Sequence, residues 1–132
     1  MIIEPSCAFC ALPATRIIQR NDSALVIRDG FPVSPGHTLV VARRHVHSFF
    51  ELTSLERTDL LSLLDTARTG LVQEFSPDAF NIGINDGPAA GQTVPHVHIH
   101  LIPRYVGDQA DPRGGVRWVI PKKANYWARD DD

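Results

Sequence analysis

Cysteine is scarce in this chain. Two occur in 132 residues, Cys7 and Cys10, which is too few for a disulfide framework. No run of 18 apolar residues occurs, so no transmembrane helix is expected and no membrane partner. The opening MIIEPSCAFC lacks the basic start and apolar centre of a signal peptide, so the expected location is cytoplasmic. A basic surplus is also missing. The formal net charge is −2 and the isoelectric point is near 6.3, which argues against a nucleic-acid-coating surface. What is present is ordinary for a globular chain. Apolar residues make up 43% and charged residues 21%, enough for one conventional core. In a reducing compartment a C-x-x-C pair binds metal or does redox work more often than it forms a structural disulfide.

The chain is rich in one local pattern. Three of its six histidines stand at alternate positions in HVHIH, residues 96–100. Val97, Ile99, Leu101 and Ile102 fit a strand, and Pro103 is expected to end it. Residues two apart share a strand face. His96, His98 and His100 are therefore expected in a row, roughly 6–7 Å apart at about 3.3 Å rise per residue. Val97, Ile99 and Leu101 point into a core. Such a row suits a metal site or a catalytic site better than a plain polar face.

Further strands are expected over 23–30, 37–44 and 79–86. The segment ELTSLERTDLLSLLDTARTGLVQEF reads as a helix. Thr53 and Glu56 form a capping box at its start, and Leu60, Leu64, Ala67 and Leu71 form its buried stripe. Gly70 weakens that pattern slightly. The tail has little periodicity and carries Trp118, Tyr126 and Trp127. No repeat or linker is evident. Strands in meander order around one long helix predict an α+β domain with an antiparallel sheet.

The loop GPAAGQT precedes the histidines. Gly87 and Gly91 allow backbone N–H groups to approach an anion, and Gln92 and Thr93 add neutral donors. Imidazole is largely unprotonated at neutral pH and can form covalent intermediates. A histidine beside a phosphate cradle suggests phosphoryl or nucleotidyl transfer. Cys7 and Cys10 offer two corners of a zinc site. His45 or His47, together with His96, would complete it.

These residues resemble a known family. AGQTVPHVHIHLIPR (90–104) looks like the signature of the histidine triad (HIT) nucleotide hydrolases and transferases, and RDGFPVSPGHTLVVARRHV (28–46) is similar to that family's nucleoside-pocket segment. The resemblance runs from about residue 7 to 105 of a single 1–132 domain, with 106–132 as a tail. It implies an antiparallel sheet with one long helix and a short N-terminal element, and a homodimer. It implies that His98 attacks the α-phosphate of a purine nucleotide and forms a nucleotidyl-histidine. His96 would orient His98, and His100 would contact the phosphate. Gln92 and Thr93 would hold phosphate and leaving group, and Asn85 would contact the substrate nearby. Asp29 would bind the ribose hydroxyls, which a carboxylate can do as a double acceptor, although Asp-Gly before Phe31-Pro32 is also an ordinary turn. Phe31, Ile27 and Leu39 are candidate walls for the base. The resemblance also maps a structural zinc onto Cys7, Cys10, His45 and His96. Two branches are mixed. NDGPAAGQTVPHVHIHLIPR followed by Gly107-Asp108 resembles the fragile histidine triad branch, which cleaves diadenosine polyphosphates. The C-x-x-C and RRHV resemble small bacterial members and the nucleoside phosphoramidases. The alternatives are a dinucleotide phosphorylase and a nucleotide-binding regulatory module with negligible turnover. Arg113 and Arg117 are candidates to reach a polyphosphate.

Overall fold

The computed structural model describes residues 3–128. Five strands form one antiparallel sheet: β1 (Ile17–Arg20), β2 (Ala24–Arg28), β3 (Thr38–Ala42), β4 (Ala79–Gly83) and β5 (His98–Arg104), in the order β1-β2-β3-β5-β4. The long helix α1 spans Ser54–Phe75, and a short helix α2 spans Pro121–Ala124. An antiparallel sheet carrying one long helix is the α+β architecture expected.

The period-two pattern sorts the sheet into two faces. Val26, Val40, Ile99 and Leu101 pack against Leu60, Leu63, Ala67 and Leu71 of α1. Ile27, Leu39 and Val41 form a second cluster on the opposite face, covered by Phe9, Leu12 and Ile17. Register decides where the histidines go. His98 pairs with Val41, and His100 pairs with Leu39. Directly opposed residues share a face. Both imidazoles therefore lie beside the second cluster, away from α1.

The helix begins as expected. The Thr53 hydroxyl accepts from the Glu56 N–H at 3.1 Å, and the Glu56 carboxylate accepts from the Thr53 N–H at 2.9 Å. Its buried stripe differs by one residue. Leu63 is fully buried and Leu64 only partly. Both belong to one apolar arc at helical spacing, and the sheet's twist selects which is covered. Gly36 holds the turn into β3 in a left-handed conformation, φ +85°. A Cβ there would stand 3.0 Å from the Leu71 and Phe75 side chains, so a glycine lets this turn close onto the helix.

Three local readings are corrected. The strand β1 was absent from the sequence reading, because its four residues are too short to show periodicity. Regular pairing of β5 starts at His98, since Pro95 and the 2.8 Å bond from His96 N–H to the Val94 carbonyl make a tight turn before it. The strand also runs through Pro103 to Arg104. Pairing with β3 has ended at Leu101, so the missing N–H of Pro103 costs little on that side.

Candidate active site

Each histidine of the run is fixed by a different partner, and the partners assign the tautomers. His98 is nearly buried, at 7% exposure. Its Nδ1–H donates to the backbone carbonyl of His96 at 2.8 Å. A carbonyl can only accept, so the proton sits on Nδ1 and Nε2 carries a free lone pair. Phe9 stands edge-on to the ring at 4.9 Å and keeps water from one side.

His100 is governed by His37, which the sequence reading did not single out. The Val33 N–H donates to His37 Nδ1 at 3.1 Å. That nitrogen is therefore the bare one, and Nε2 carries the proton. It donates to His100 Nδ1 at 3.0 Å. His100 must then hold its own proton on Nε2, as a donor for a ligand oxygen. Burial, followed by the neighbouring His98 and His37, pushes the His100 pKa down to about 4. Burial lowers that of His37 too, partly opposed by Asp29. Asp29 Oδ2 lies 3.4 Å from His37 Nε2, and Oδ1 accepts from the Phe31 N–H at 2.8 Å. Half of this carboxylate thus builds the turn after β2.

His96 faces the other way. Its Nε2–H donates to the Ala42 carbonyl, leaving Nδ1 bare. That atom lies 3.4 Å from Cys7 Sγ, 3.6 Å from Cys10 Sγ and 3.1 Å from His45 Nδ1. Cys10 Sγ is 3.4 Å from His45 Nδ1. All four atoms lie within 4.8 Å of one another. A tetrahedral zinc with bonds of about 2.3 Å to sulfur and about 2.0–2.1 Å to nitrogen separates its ligands by roughly 3.3–3.8 Å. The donor set and spacing fit such an ion. His47 is exposed and packs edge-on to His45 at 5.3 Å, so the structure brings His45 into this cluster and leaves His47 outside.

The glycine loop is closed on itself. The N–H groups of Ala90 and Gln92 donate to the Gly87 carbonyl, and that of Gly91 donates to Pro88. Gln92 Oε1 accepts from the Gly87 N–H at 2.7 Å, and its Nε2 donates to His47 and Val94 carbonyls. Gln92 braces the loop in this arrangement. Thr93 borders a small recess with Cys7, His45 and His47. Asn85 lines a larger cleft with His37 and His100. Of the base-wall candidates, Ile27 and Leu39 are buried beneath Phe9, while Phe31 is 91% exposed.

The HIT domain matches residues 13–107 of this chain. The chain belongs to the HIT family. It is 48% identical over 77 residues to the asymmetrical bis(5'-nucleosyl)-tetraphosphatase of Schizosaccharomyces pombe, covering 58% of this chain and 42% of that one. It is 42% identical over 101 residues to a bis(5'-adenosyl)-triphosphatase of Saccharomyces cerevisiae, covering 73% of this chain and 44% of that one. The chain thus spans about two fifths of the length of these curated relatives. A zinc-bound histidine triad protein of Mycobacterium smegmatis superposes with a TM-score of 0.71 at 34% identity, covering 80% of each chain.

The expected site residues divide between two places along β5. His96, His45, Cys7 and Cys10 gather at its start, and His100, Asp29 and Asn85 lie toward its middle, with His98 between. A signal for His37 was available in the sequence. It immediately precedes β3 in an otherwise apolar strand, where a buried polar group needs a partner. Arg113 and Arg117 do not reach toward the histidines. Arg113 pairs with Asp111 at 2.9 Å and covers Trp127. Arg117 donates to the Ala124 and Lys123 carbonyls. Both arginines build the tail.

Proposed function

We propose that this HIT domain cleaves the α-phosphate linkage of purine nucleotides, dinucleoside polyphosphates above all, through a covalent nucleotidyl-His98. The observation that carries the reading is the tautomer of His98. With Nδ1–H committed to the His96 carbonyl, Nε2 is a ready nucleophile and needs no separate base. It attacks the α-phosphorus, a P–N bond forms, and the P–O bond to the leaving phosphate breaks with its electron pair. Water then attacks the same phosphorus. The nucleoside monophosphate departs, and His98 regains its lone pair as the water proton is released. His100 Nε2–H donates to a non-bridging phosphate oxygen, stabilising the charge that develops there. Asp29 holds the ribose hydroxyls, and Asn85 contacts the substrate near the phosphates. Gln92 and Thr93 shape the loop beside the leaving group. The names of the relatives, which act on bis-nucleosyl tri- and tetraphosphates, support a dinucleotide substrate.

Cys7, Cys10, His45 and His96 would hold a structural zinc, which ties the N-terminal loop to the start of β5 and supplies no Lewis acid, since every corner is a protein ligand. The unpaired state of both cysteines supports a reducing, cytoplasmic setting. We read the 1–132 chain as one functional domain that works as a homodimer. The outer edge of β4 supports this reading, with Ile82 exposed on that edge strand and Ile84 exposed just beyond its end.

A second reading, a binding module with negligible turnover, draws on the cover that Phe9 places over His98. The deciding experiment incubates the zinc-loaded protein and His98→Asn with diadenosine tri- and tetraphosphate and adenosine phosphoramidate, with and without phosphate. Monophosphate release and an acid-labile labelled protein in wild type alone support nucleotidyl transfer. Tight binding with neither signal favours the binding module. A diphosphate formed only with added phosphate identifies a phosphorylase.

A further inference from the structure

A cleft of about 790 Å³, within the range of small-molecule sites, lies on the histidine face of the sheet. It opens beside His37 and His100 and extends across β5 and β4 to the tail. His100 and Asn85 border its near end, and its far end, from Asn81 to Trp118, has no part in the chemistry at His98. The sheet order places Asp29 at the β2 side of the histidines, while this cleft, bordered by Val33 to Pro35 and His37, runs from them over β5 and β4. A substrate with one nucleoside has no call on both sides, whereas a dinucleoside polyphosphate does.

The far wall is built to hold an aromatic ring in place. Trp118 is 44% exposed and borders the cleft. Its indole N–H donates to the Arg113 carbonyl at 2.8 Å, which fixes the ring plane. The preceding turn needs glycines. Gly114 has φ +90°, and a Cβ there would stand 3.0 Å from the Trp127 ring. A Cβ on Gly115 would stand 3.0 Å from Asn81 Nδ2, so the tail comes down directly on the sheet. Arg104 is clamped by Asp108 and donates to Asn81 Oδ1 at 2.6 Å. The Asn81 amide is thereby oriented, with Nδ2 donating to no acceptor among the described residues. The Asn85 side chain also has no hydrogen-bond partner among them. An oriented amide that can donate and accept, set near an apolar platform, suits the edge and the face of a purine.

We propose that this cleft is the subsite for the second nucleoside of a dinucleoside polyphosphate, with Trp118 as the stacking platform, Asn81 reading the base edge and Asn85 facing the phosphates between the two nucleosides. The proposal rests on the nucleotidyl-transfer reading for its substrate class. It assigns the tail a role in choosing dinucleotides over single-nucleoside substrates.

The test compares kcat/KM for diadenosine tetraphosphate with that for adenosine phosphoramidate, which share the chemistry at His98 but not the second nucleoside. In Trp118→Ala the ratio of the two is expected to fall about tenfold, in line with the loss of one stacked base. Trp118→Phe should restore most of it. Val116→Trp blocks the same cleft from an exposed position and should lower the ratio without removing Trp118. An unchanged ratio in both Trp118→Ala and Val116→Trp overturns the subsite. Should wild type cleave neither substrate, the proposed function falls and calorimetry decides the subsite. His98→Asn would be titrated with diadenosine tetraphosphate and with ADP. A preference for the dinucleotide that Trp118→Ala abolishes supports the cleft as a nucleoside site, and equal affinities overturn it.

Discussion

His96 and His100 are four residues apart, and each is held by one hydrogen bond that decides its chemistry. At His96 the Ala42 carbonyl accepts from Nε2–H, which turns a bare Nδ1 toward two thiols and His45. At His100 the proton comes to Nε2 because Nδ1 accepts from His37. One end of the row thus turns a bare nitrogen into a cluster whose spacing would suit zinc, and the other presents a hydrogen-bond donor. His98, between them, is neither. Its Nδ1–H is committed to a backbone carbonyl, and its outer nitrogen keeps a free lone pair. Identical side chains on one short segment acquire three roles from what accepts or supplies a proton next to them.

The largest expected effect breaks the middle of the row. His98→Asn should lower turnover on the order of a thousandfold or more, while circular dichroism remains that of the folded protein. Near-normal turnover in this variant would remove the covalent mechanism.

The next tests separate the ends. Cys7→Ser should abolish stoichiometric zinc binding and lower the melting temperature by about 5–10 °C. A chelator should do the same to wild type and add little to the variant. If the variant melts with wild type and binds as much zinc, the ligand set is wrong. At the other end, His37→Phe removes the donor that fixes His100 and should reduce kcat by about 10–100-fold with full zinc content. His37→Gln, which keeps an N–H donor, should recover part of that loss. Equal rates in the two variants would reduce His37 to a packing residue.

The smallest effect is a pH dependence. His100 has its folded pKa lowered to about 4 from 6.5, and that of His37 is lowered as well. Below pH 6.5 the unfolded chain binds protons that the folded chain refuses. Stability is therefore complete above about 6.5 and declines as pH falls toward about 4. Denaturation of wild type at pH 7 and pH 5 should show this decline, and His37→Phe should show a shallower one. A stability that does not change between these pH values would contradict the buried, neutral state of the pair.

Much of this was legible in order and type. The helix start was readable because a capping box is local: Thr53 and Glu56 satisfy each other three residues apart. The alternation of Val97, Ile99 and Leu101 with histidines was readable because a strand has period two. The strand β1 was not, since four residues carry too little pattern. The covering of Ile27 and Leu39 by Phe9 was also hidden, because nothing local says which loop crosses a sheet face. Gln92 was read as a phosphate donor from its place in a glycine loop, and the folded loop spends its amide on Gly87, His47 and Val94.

By itself, the sequence determined which chemistry was available: three imidazoles in alternate positions, a C-x-x-C pair, and a helix and strands able to bury one core. Folding settles which nitrogen of each imidazole carries the proton. For two of the three that choice depends on partners far away in the chain, Ala42 for His96 and His37 for His100, while His98 is set by the carbonyl two residues before it. Tertiary packing also selected His45 over His47 and folded the tail into a wall beside the site. Both of these outcomes depend on contacts between segments tens of residues apart, which no local pattern encodes.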